Sequence, residues 1–406
     1  MTGVATLYPE TGLDDRARAD APSPSHQSAG RRLHAEWREL ASLADIADAW
    51  RALAARALEP NIFYEPAFAL AAAPAFGREI GVILVWSDSE PNRLEGLFPV
   101  RVERRRYGMR LPLVIGWTHP YAPLGTPLVD RDCAEGAIDA AFDFVAADAG
   151  LPDLLLLPFA PAAGQFANAL ALAVFKRQGR IAWFAQHARA LLAPSLARAN
   201  DPAGALTAKK HEELRLQARR LVEHGKLCTV TASEPSRIVE ALDAFVALES
   251  KGRKGRARTA AALNPDVERF MRRAIRALAA AGQARIDRLF FGDRVIAAAI
   301  LLRSGWAGWF WKISYDEGFA PASPEVQLVL ELTESLLADP TIDRVDCCAT
   351  PDRLIDHLWR ARLVLADQLI ALQPGAGGRF KLACGLEGLR GAAIDVGKWA
   401  RNLVRR

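Results

Sequence analysis

Apolar and polar positions alternate along the chain with two periods, one typical of helices and one typical of strands. In the first half, helical spacing of apolar residues begins at Leu43, with Ser42 as a plausible N-cap. Compact apolar runs bounded by turn-forming residues predict strands. The elements predicted in this half are helices over 43–54 and 66–73, strands at 80–86, 94–102 and 111–117, a helix over 133–149, a strand at 154–158, a helix over 164–178 and a strand at 181–192.

The second half repeats this order of elements. Asn264 followed by Pro265 is a good helix start, and that helix is expected to bury Val267, Phe270, Met271, Ala274, Ile275 and Leu278. The elements predicted here are helices over 206–224, 236–249 and from 264 onward, strands at 284–291, 295–302 and 306–315, a helix over 323–337, a strand at 342–347, a helix over 354–362 and a strand at 364–372, with a short strand at 227–231.

This repetition predicts a duplicated α/β architecture of two similar domains. Three strands, a helix, a strand, a helix and a strand is also the order of the GNAT acyltransferase core. We expect a disordered tail at 1–32, an N-terminal domain at 33–198, a linker at 199–204, a C-terminal domain at 205–373 and a basic tail at 374–406. The two domains are expected to have separate sheets.

Composition and charge exclude several classes of protein. Of 406 residues, 51% are hydrophobic and 24% are charged, which is typical of globular proteins. The longest apolar run, residues 295–302, is too short to span a membrane, and no secretory signal is recognisable, so the cytoplasm is the expected compartment. Five cysteines without a CxxC pair and seven scattered histidines predict neither a disulfide framework nor a metal site.

The net charge of +5 gives little support to nucleic-acid binding, since the basic excess is mostly arginine in an alanine-rich chain. The terminal segment 380–406 is basic and partly amphipathic. Contact with an anionic membrane surface is one interpretation of it. Docking onto its own domain, or disorder, is the favoured one.

Two stretches of the second half carry a spaced set of polar and aromatic residues. Residues 249–255 read Glu-Ser-Lys-Gly-Arg-Lys-Gly, and residues 311–320 read Trp-Lys-Ile-Ser-Tyr-Asp-Glu-Gly-Phe-Ala. They resemble the Glu-x-x-Gly-x-Lys-Gly and Trp-Lys-x-x-Tyr-Asp-Glu-x-Phe-Ala motifs of the CelD/BcsL-like (BioF-like) acetyltransferases of the GNAT superfamily. Asp346 matches the acidic residue that ends the family's next strand, and the basic helix 209–221 resembles the one that precedes these motifs.

The sequence departs from the family pattern at two positions. Arg253 stands where an aromatic residue is usual, and Glu325 replaces the glycine of a Ser-Pro-Gly turn. The matches cover about residues 206–371. The resemblance implies a tandem GNAT fold like that of Fem transferases, with acetyl-CoA or another acyl-CoA as co-substrate and no metal. It also implies acyl transfer connected with bacterial exopolysaccharide or cellulose production.

The strand predicted at 306–315 carries the candidate catalytic residues. Strict alternation places Trp309, Trp311 and Ile313 on one side, and Phe310, Lys312 and Ser314 on the other. A half-buried lysine needs a partner, and the candidate carboxylates are Asp316, Glu317, Asp346 and Glu249. A structural ion pair is an equally good interpretation of this cluster.

The acyl-transfer hypothesis gives each of these residues a role. A GNAT reaction must remove a proton from an amine and stabilise an oxyanion. We expect Asp346, ahead of Glu317, to act as the base beside Lys312, and Tyr315 to act as an acid toward the thiolate. The pyrophosphate is expected at the helix start formed by Ser323, Pro324, Glu325 and Val326, with Lys254 nearby. The candidate substrate-binding residues are Glu249, Asp316 and Trp311.

Three functions compete at this point. The leading one is acyl-CoA-dependent N-acylation of an amino sugar or polysaccharide precursor, with possible peripheral association with a membrane-bound synthesis complex. The second is Fem-type aminoacyl transfer to a cell-wall precursor. The third is a non-catalytic GNAT pair that serves as a scaffold. The sequence contains no Walker loop, GxSxG, HExxH or dinucleotide-binding motif, so kinases, α/β-hydrolases, zinc proteases and Rossmann dehydrogenases lack support.

Overall fold

The computed structural model describes residues 32–194, 212, 216, 225–256, 261–349 and 355–404. The predicted linker at 199–204, nearly all of the predicted N-terminal tail and most of the basic helix 209–221 lie outside these described residues.

Thirteen strands form the described sheet. They are β1 (Leu33–Glu39), β2 (Gly81–Ser87), β3 (Leu94–Glu103), β4 (Leu113–Gly116), β5 (Leu128–Val129), β6 (Leu154–Pro161), β7 (Arg180–Leu192), β8 (Leu227–Ala232), β9 (Ala284–Phe291), β10 (Arg294–Ser304), β11 (Ala307–Tyr315), β12 (Arg344–Asp346) and β13 (Ala361–Ala371).

The α-helices of the described residues are α1 (Ala47–Ala55), α2 (Pro66–Phe76), α3 (Ala134–Ala147), α4 (Gln165–Lys176), α5 (Pro235–Lys251), α6 (Arg253–Arg256), α7 (Pro265–Ala280), α8 (Pro324–Ala338), α9 (Ile355–Leu358) and α10 (Gly377–Val404). Short 3-10 helices occur at Leu40–Ile46, Ile62–Tyr64, Ala261–Leu263, Glu317–Ala322 and Pro374–Ala376.

Helix α7 shows how the local sequence determines these elements. Apolar residues at spacings of three and four place Val267, Phe270, Met271, Ala274, Ile275 and Leu278 on one buried face, as predicted. The Asn264 side chain accepts hydrogen bonds from the amides of Asp266 and Val267 and caps the helix. The predicted cap at Ser42 is wrong, because Ser42 lies inside a 3-10 helix and its hydroxyl donates to the carbonyl of Glu39.

The strands of both halves form one continuous sheet, in the order β1-β2-β3-β4-β6-β13-β7-β12-β11-β10-β9-β8, with β5 beside β3. The expectation of a separate sheet for each half is therefore wrong. Each half places its last strand in the other: β13 pairs with β6 and β7, and β7 pairs with β12. The two exchanged strands also pair with each other along their length, from Ala361 opposite Leu191 to Ala371 opposite Arg180.

Both halves share the main hydrophobic core. Helix α2 of the first half packs against α7 of the second, where Phe68 contacts Phe270 edge to face with ring centroids 5.3 Å apart. Trp309 and Trp311 of β11 belong to the same core. Side chains from the two halves therefore meet at the face of β11 that contacts α5 and α7.

The C-terminal segment forms a helix that docks on the sheet. Phe380, Ala383 and Glu387 of α10 are buried against a cluster contributed by β4, β6 and β13. Among the described residues, no helix has the length and apolar character needed to cross a membrane.

Candidate active site

The strands β11 and β12 part in the middle of the second half. They pair in parallel over only three residue pairs, from Ala307 opposite Arg344 to Trp309 opposite Asp346. Beyond this point β11 continues to Tyr315 while β12 ends. A gap therefore opens beside the second half of β11, at the place where the sequence predicts acyl-CoA binding.

A β-bulge lies at the mouth of this gap. Phe310 pairs with Leu301 and Lys312 pairs with Ile300, so Trp311 is an extra residue in β11. The bulge turns Lys312 to the side of Trp309 and Trp311, and Ile313 packs on the opposite face. The predicted alternation is therefore wrong after Trp311, because it assumed a regular strand.

Lys312 lies in a pocket of one carboxylate and aromatic rings. Its Nζ is 3.9 Å from Oε1 of Glu249 and 4.3 Å from the centre of the Tyr121 ring. Glu249 is buried in α5, and its Oε2 accepts a hydrogen bond of 2.9 Å from the amide of Ala261. Glu249, one of the four carboxylates that the sequence suggested, is therefore a partner of Lys312. The pair is held between the helix layer and the bulged strand.

The first half supplies Tyr121 to this site and His119 to the aromatic cluster beside it, and the sequence analysis missed both. The carbonyl of Tyr121 accepts a hydrogen bond of 2.8 Å from Nε1 of Trp311. Burial and the nearby carboxylate of Glu249 raise the pKa of Tyr121. His119 stacks on Phe76 with ring centres 4.2 Å apart. The dense run of tryptophan, histidine and tyrosine after a predicted strand was the available signal.

Burial determines the ionisation state of His119. It lowers the pKa of His119 to about 3. The Nε2 atom is buried, and the described residues offer it no hydrogen-bond partner. The ring is therefore neutral near pH 7, with an unused polar atom inside the aromatic cluster.

Asp346 lies on the other side of the gap and is part of a buried ion pair. Its Oδ2 accepts a hydrogen bond of 3.1 Å from Arg189 of β7, and its Oδ1 accepts one of 2.9 Å from the amide of Cys348. Arg189 also donates to the carbonyl of Pro123 in the first half. Asp346 therefore helps to join the exchanged strand to the site. Its role as a base stays a prediction that these contacts do not favour.

The three residues after Ser314 point in different directions. Tyr315 is half-buried and packs against the core on the α8 side of the sheet. Asp316 accepts from the amide of Gly318 and pairs with Arg294, so its partners lie on the β10 side. Glu317 pairs with Arg256, and its Oε1 lies beside Gly252 at the end of α5. Glu317 is thus the one of the three that contacts the α5 end of the site.

The helix start at Ser323 differs in detail from the expectation. Ser323 precedes α8 with a left-handed backbone (φ 51°), and its side chain makes no capping hydrogen bond. The amide of Val326 donates to the carbonyl of Ser323 at 3.0 Å, and Pro324 has no N–H. Glu325 lies in the first turn. Lys254 lies in α6, and its side chain is outside the described part of the structure.

The two adjacent cysteines have no sign of nucleophilic function. Cys347 packs in the core, and burial raises its pKa to about 11. Burial also raises the pKa of Cys348 well above its usual range. Both thiols therefore stay protonated near neutral pH, and the sequence-based expectation of core packing agrees with their environment.

Comparison with known proteins agrees with this architecture. Residues 208–353 match the model of the acetyltransferase (GNAT) domain family. The C-terminal domain (DUF2156) of a putative lysylphosphatidylglycerol synthetase from Agrobacterium fabrum is similar in structure, with a TM-score of 0.52, 12% identity and coverage of 87% of this chain and 96% of that one. FemX is similar with a TM-score of 0.52, 8% identity and coverage of 80% and 95%. No curated protein matches the chain.

These likenesses confirm the predicted fold class, a mixed α/β pair of GNAT-like halves. The match of residues 208–353 to the family model also confirms the prediction of a GNAT-type acyltransferase, with the matched domain in the second half. The CelD/BcsL-like subfamily, the acyl donor and the acceptor stay predictions.

Proposed function

We propose that the chain is an acyl-CoA-dependent N-acyltransferase whose site lies beside the second half of β11. The observation that carries this proposal is the parting of β11 and β12 next to the bulge that presents Lys312 to Glu249 and Tyr121. The resemblance in motifs supports acetyl-CoA as the donor. It also supports an amino sugar of an exopolysaccharide or cellulose-type precursor as the acceptor, and the cytoplasm as the compartment.

The chain's residues fit an acyl-CoA in part. Within the described ranges, the gap beyond Trp309 and Asp346 leaves one side of β11 without a paired strand, which suits an extended thioester arm. The α8 start is a weaker phosphate site than expected, because the amide of Val326 is engaged with Ser323 and Glu325 adds a negative charge. The Ser323 hydroxyl and the Lys254 ammonium group remain the donors proposed to hold the phosphates, and Pro324 is proposed to shape the helix start beside them. The co-substrate supplies the activated acyl group.

The pair of Glu249 and Lys312 gives the site a fixed cation. The Nζ of Lys312 lies 3.9 Å from the buried Glu249, and we propose that it donates a hydrogen bond to an oxygen that gains negative charge. The acceptor amine must lose a proton to a nearby base. We propose Glu317 for that role ahead of Asp346, since the Asp346 side chain is buried in its pair with Arg189, whereas the Glu317 side chain is one-third exposed at the end of α5. Tyr315 remains the proposed acid toward the thiolate. Trp311 and Tyr121 are proposed to contact the acceptor substrate with their aromatic rings.

The experiment begins with calorimetric titration of the full chain with acetyl-CoA and with desulfo-CoA. We expect both compounds to bind. We also expect acetyl-CoA to release its free thiol when amino sugars are added. Failure to bind either compound would favour the scaffold alternative. Turnover that requires charged tRNA would favour Fem-type aminoacyl transfer.

Four variants then separate the roles of the charged residues. We expect Lys312→Met and Glu317→Gln to lower kcat by roughly 10²-fold or more while the protein stays folded. Asp346→Asn should mainly lower the melting temperature, by an amount that corresponds to about 3 kcal/mol or more, because Arg189 is left unpaired in a buried place. Glu334→Gln, on the exposed side of α8, is the charge-matched control and should change neither quantity.

A full-rate Glu317→Gln enzyme together with an inactive but stable Asp346→Asn enzyme would reverse the proposed assignment. Loss of stability in proportion to loss of rate in all three site variants would make the whole cluster structural.

A further inference from the structure

Helix α10 has two apolar faces, and within the described part of the chain only the inner face packs against other elements. Its inner face buries Phe380, Ala383 and Glu387 on the sheet. On the outer face, Leu382 and Leu389 are 50% and 69% exposed, one seven-residue repeat apart. Large apolar side chains that the described residues leave exposed on a helix surface point to an interaction partner.

A loop from a distant part of the sequence adjoins this helix. The loop 104–110 connects β3 and β4, and its Arg106 pairs with the buried Glu387 of α10 at 2.6 Å. Next to Arg106 the loop exposes two more large side chains, Tyr107 at 41% and Met109 at 39%. The ion pair therefore fixes a second set of exposed apolar residues beside α10.

The segment 377–406 and the loop 104–110 are both rich in basic residues. Residues 377–406 contain seven basic and two acidic residues, a net of +5 that equals the net charge of the whole chain. One of the two acidic residues, Glu387, is buried against Arg106. The loop 104–110 adds four arginines and no acidic residue. Together the two segments carry a net charge of +9, whereas the remaining residues of the chain carry a net charge of −4.

Exposed apolar side chains flanked by basic ones are the chemistry of an interfacial membrane helix. Lys and Arg are attracted to anionic headgroups, and Leu, Met and Tyr insert at the boundary of the acyl chains. A nucleic acid would satisfy the arginines and leave Leu382 and Leu389 exposed to water. A second copy would bring two patches of like charge together.

We propose that α10 and the loop 104–110 form one surface that binds the anionic face of a phospholipid bilayer. Leu382, Leu389, Tyr107 and Met109 insert into the interface, and Arg104, Arg105 and Lys381 contact the headgroups. This surface is separate from the Lys312 site, and the proposal does not depend on acyl-CoA chemistry.

The test is sedimentation of the full chain with vesicles. Phosphatidylcholine vesicles containing about one third phosphatidylglycerol should bind the protein, and pure phosphatidylcholine vesicles should bind it at least tenfold more weakly. Added salt should weaken the binding, since it screens the charges. Arg104→Gln/Arg105→Gln/Lys381→Gln should lower the partition coefficient about 10²-fold, since each basic residue near an anionic surface contributes about fivefold.

Matched variants test whether the position of these residues matters. Arg269→Gln/Arg273→Gln/Arg276→Gln removes three exposed arginines from α7 and should leave vesicle binding nearly unchanged. Leu382→Ser/Leu389→Ser should weaken binding at least tenfold, whereas Leu263→Ser/Phe175→Ser removes two equally exposed apolar side chains elsewhere and should not. Melting temperatures of all variants confirm that they are folded.

Three results would overturn the proposal. The first is equal binding of the protein to neutral and anionic vesicles, or an α7 variant that loses as much vesicle binding as Arg104→Gln/Arg105→Gln/Lys381→Gln. The second is RNA binding by the wild-type protein, at the same salt concentration, together with an Arg104→Gln/Arg105→Gln/Lys381→Gln variant that loses RNA binding but keeps vesicle binding. The third is a concentration-dependent dimer that disappears in Leu382→Ser/Leu389→Ser, with no vesicle binding by the wild-type protein.

Discussion

His119 shows how far a single side chain can depart from its behaviour in water. The folded protein keeps the ring neutral, with a pKa of about 3, whereas an unfolded chain has a histidine pKa near 6.5. Between these two pH values the unfolded state binds more protons than the folded state. The stabilising effect of the neutral ring is therefore complete above about pH 6.5 and is lost as the pH falls toward 3.

This difference predicts a pH dependence of stability that a single substitution removes. Between about pH 7 and pH 5, the wild-type protein should lose about 2 kcal/mol more than His119→Phe, since each pH unit below 6.5 is worth about 1.4 kcal/mol. Phenylalanine keeps the stack on Phe76 and loses only a long contact from the amide of Tyr121 to Nδ1, at 3.4 Å. Urea unfolding at both pH values measures the effect. Identical pH slopes in the two proteins would contradict it.

At the scale of residues, the sequence predicted which side chains belong to the site better than it predicted which of them contact each other. Glu249 was one of four carboxylates named for Lys312, and only the fold brings those two together. Tyr121, His119 and Arg189 were missed because their contacts join the two halves of the chain, across separations of 190 residues for Tyr121 with Trp311 and 157 for Arg189 with Asp346. Local patterns do not encode contacts at that distance.

At the scale of elements, the periodic pattern located most helices and strands of the described residues. It failed where a local irregularity or a long-range pairing decides the structure. The bulge at Trp311 reverses the side on which Lys312 lies, and nothing in an apolar strand pattern marks such an insertion. Strand β1 was also missed: it is a half-buried edge strand, and its pairing with β2 comes from a segment about 50 residues later.

Glycines in two elements predict opposite effects of the same substitution. Gly385 lies on the exposed face of α10, where an added Cβ would meet no atom within 4 Å. Gly385→Ala should therefore stabilise the protein by about 0.5–1 kcal/mol, because alanine has the better helix propensity. Gly81 in β2 lies under the Trp37 ring, and an added Cβ would lie 1.8 Å from Cζ2.

Gly81→Ala should consequently destabilise the protein by about 1–3 kcal/mol, since Trp37 must leave its place. Denaturant unfolding of the two variants beside the wild-type protein measures both effects. A stabilised Gly81→Ala protein would show that the β1–β2 edge repacks freely, and a destabilised Gly385→Ala protein would show that the outer face of α10 is in contact with something.

At the scale of the whole molecule, the exchange of β7 and β13 makes the halves interdependent. Without β13 the first half would expose the edges of both β6 and β7, and without β7 the second half would expose the edge of β12. The sequence could show the duplication, because the order of elements repeats. It could not show the exchange, because the hydrophobic pattern of the last strand in either half does not depend on which neighbouring strand it pairs with.

The exchange and the shared core predict that the chain survives a cut between its halves. A protease site placed within residues 199–204 should yield two fragments that stay together and elute as one species of about 44 kDa. Each fragment holds a strand inside the other's part of the sheet, and the core around Phe68, Phe270 and Trp309 belongs to both. Calorimetry of the uncut chain should show one cooperative transition, with equal calorimetric and van't Hoff enthalpies. Two fragments that separate under native conditions, each folded and melting independently, would show that the halves are autonomous domains and that the β7–β13 pair contributes little to their cohesion.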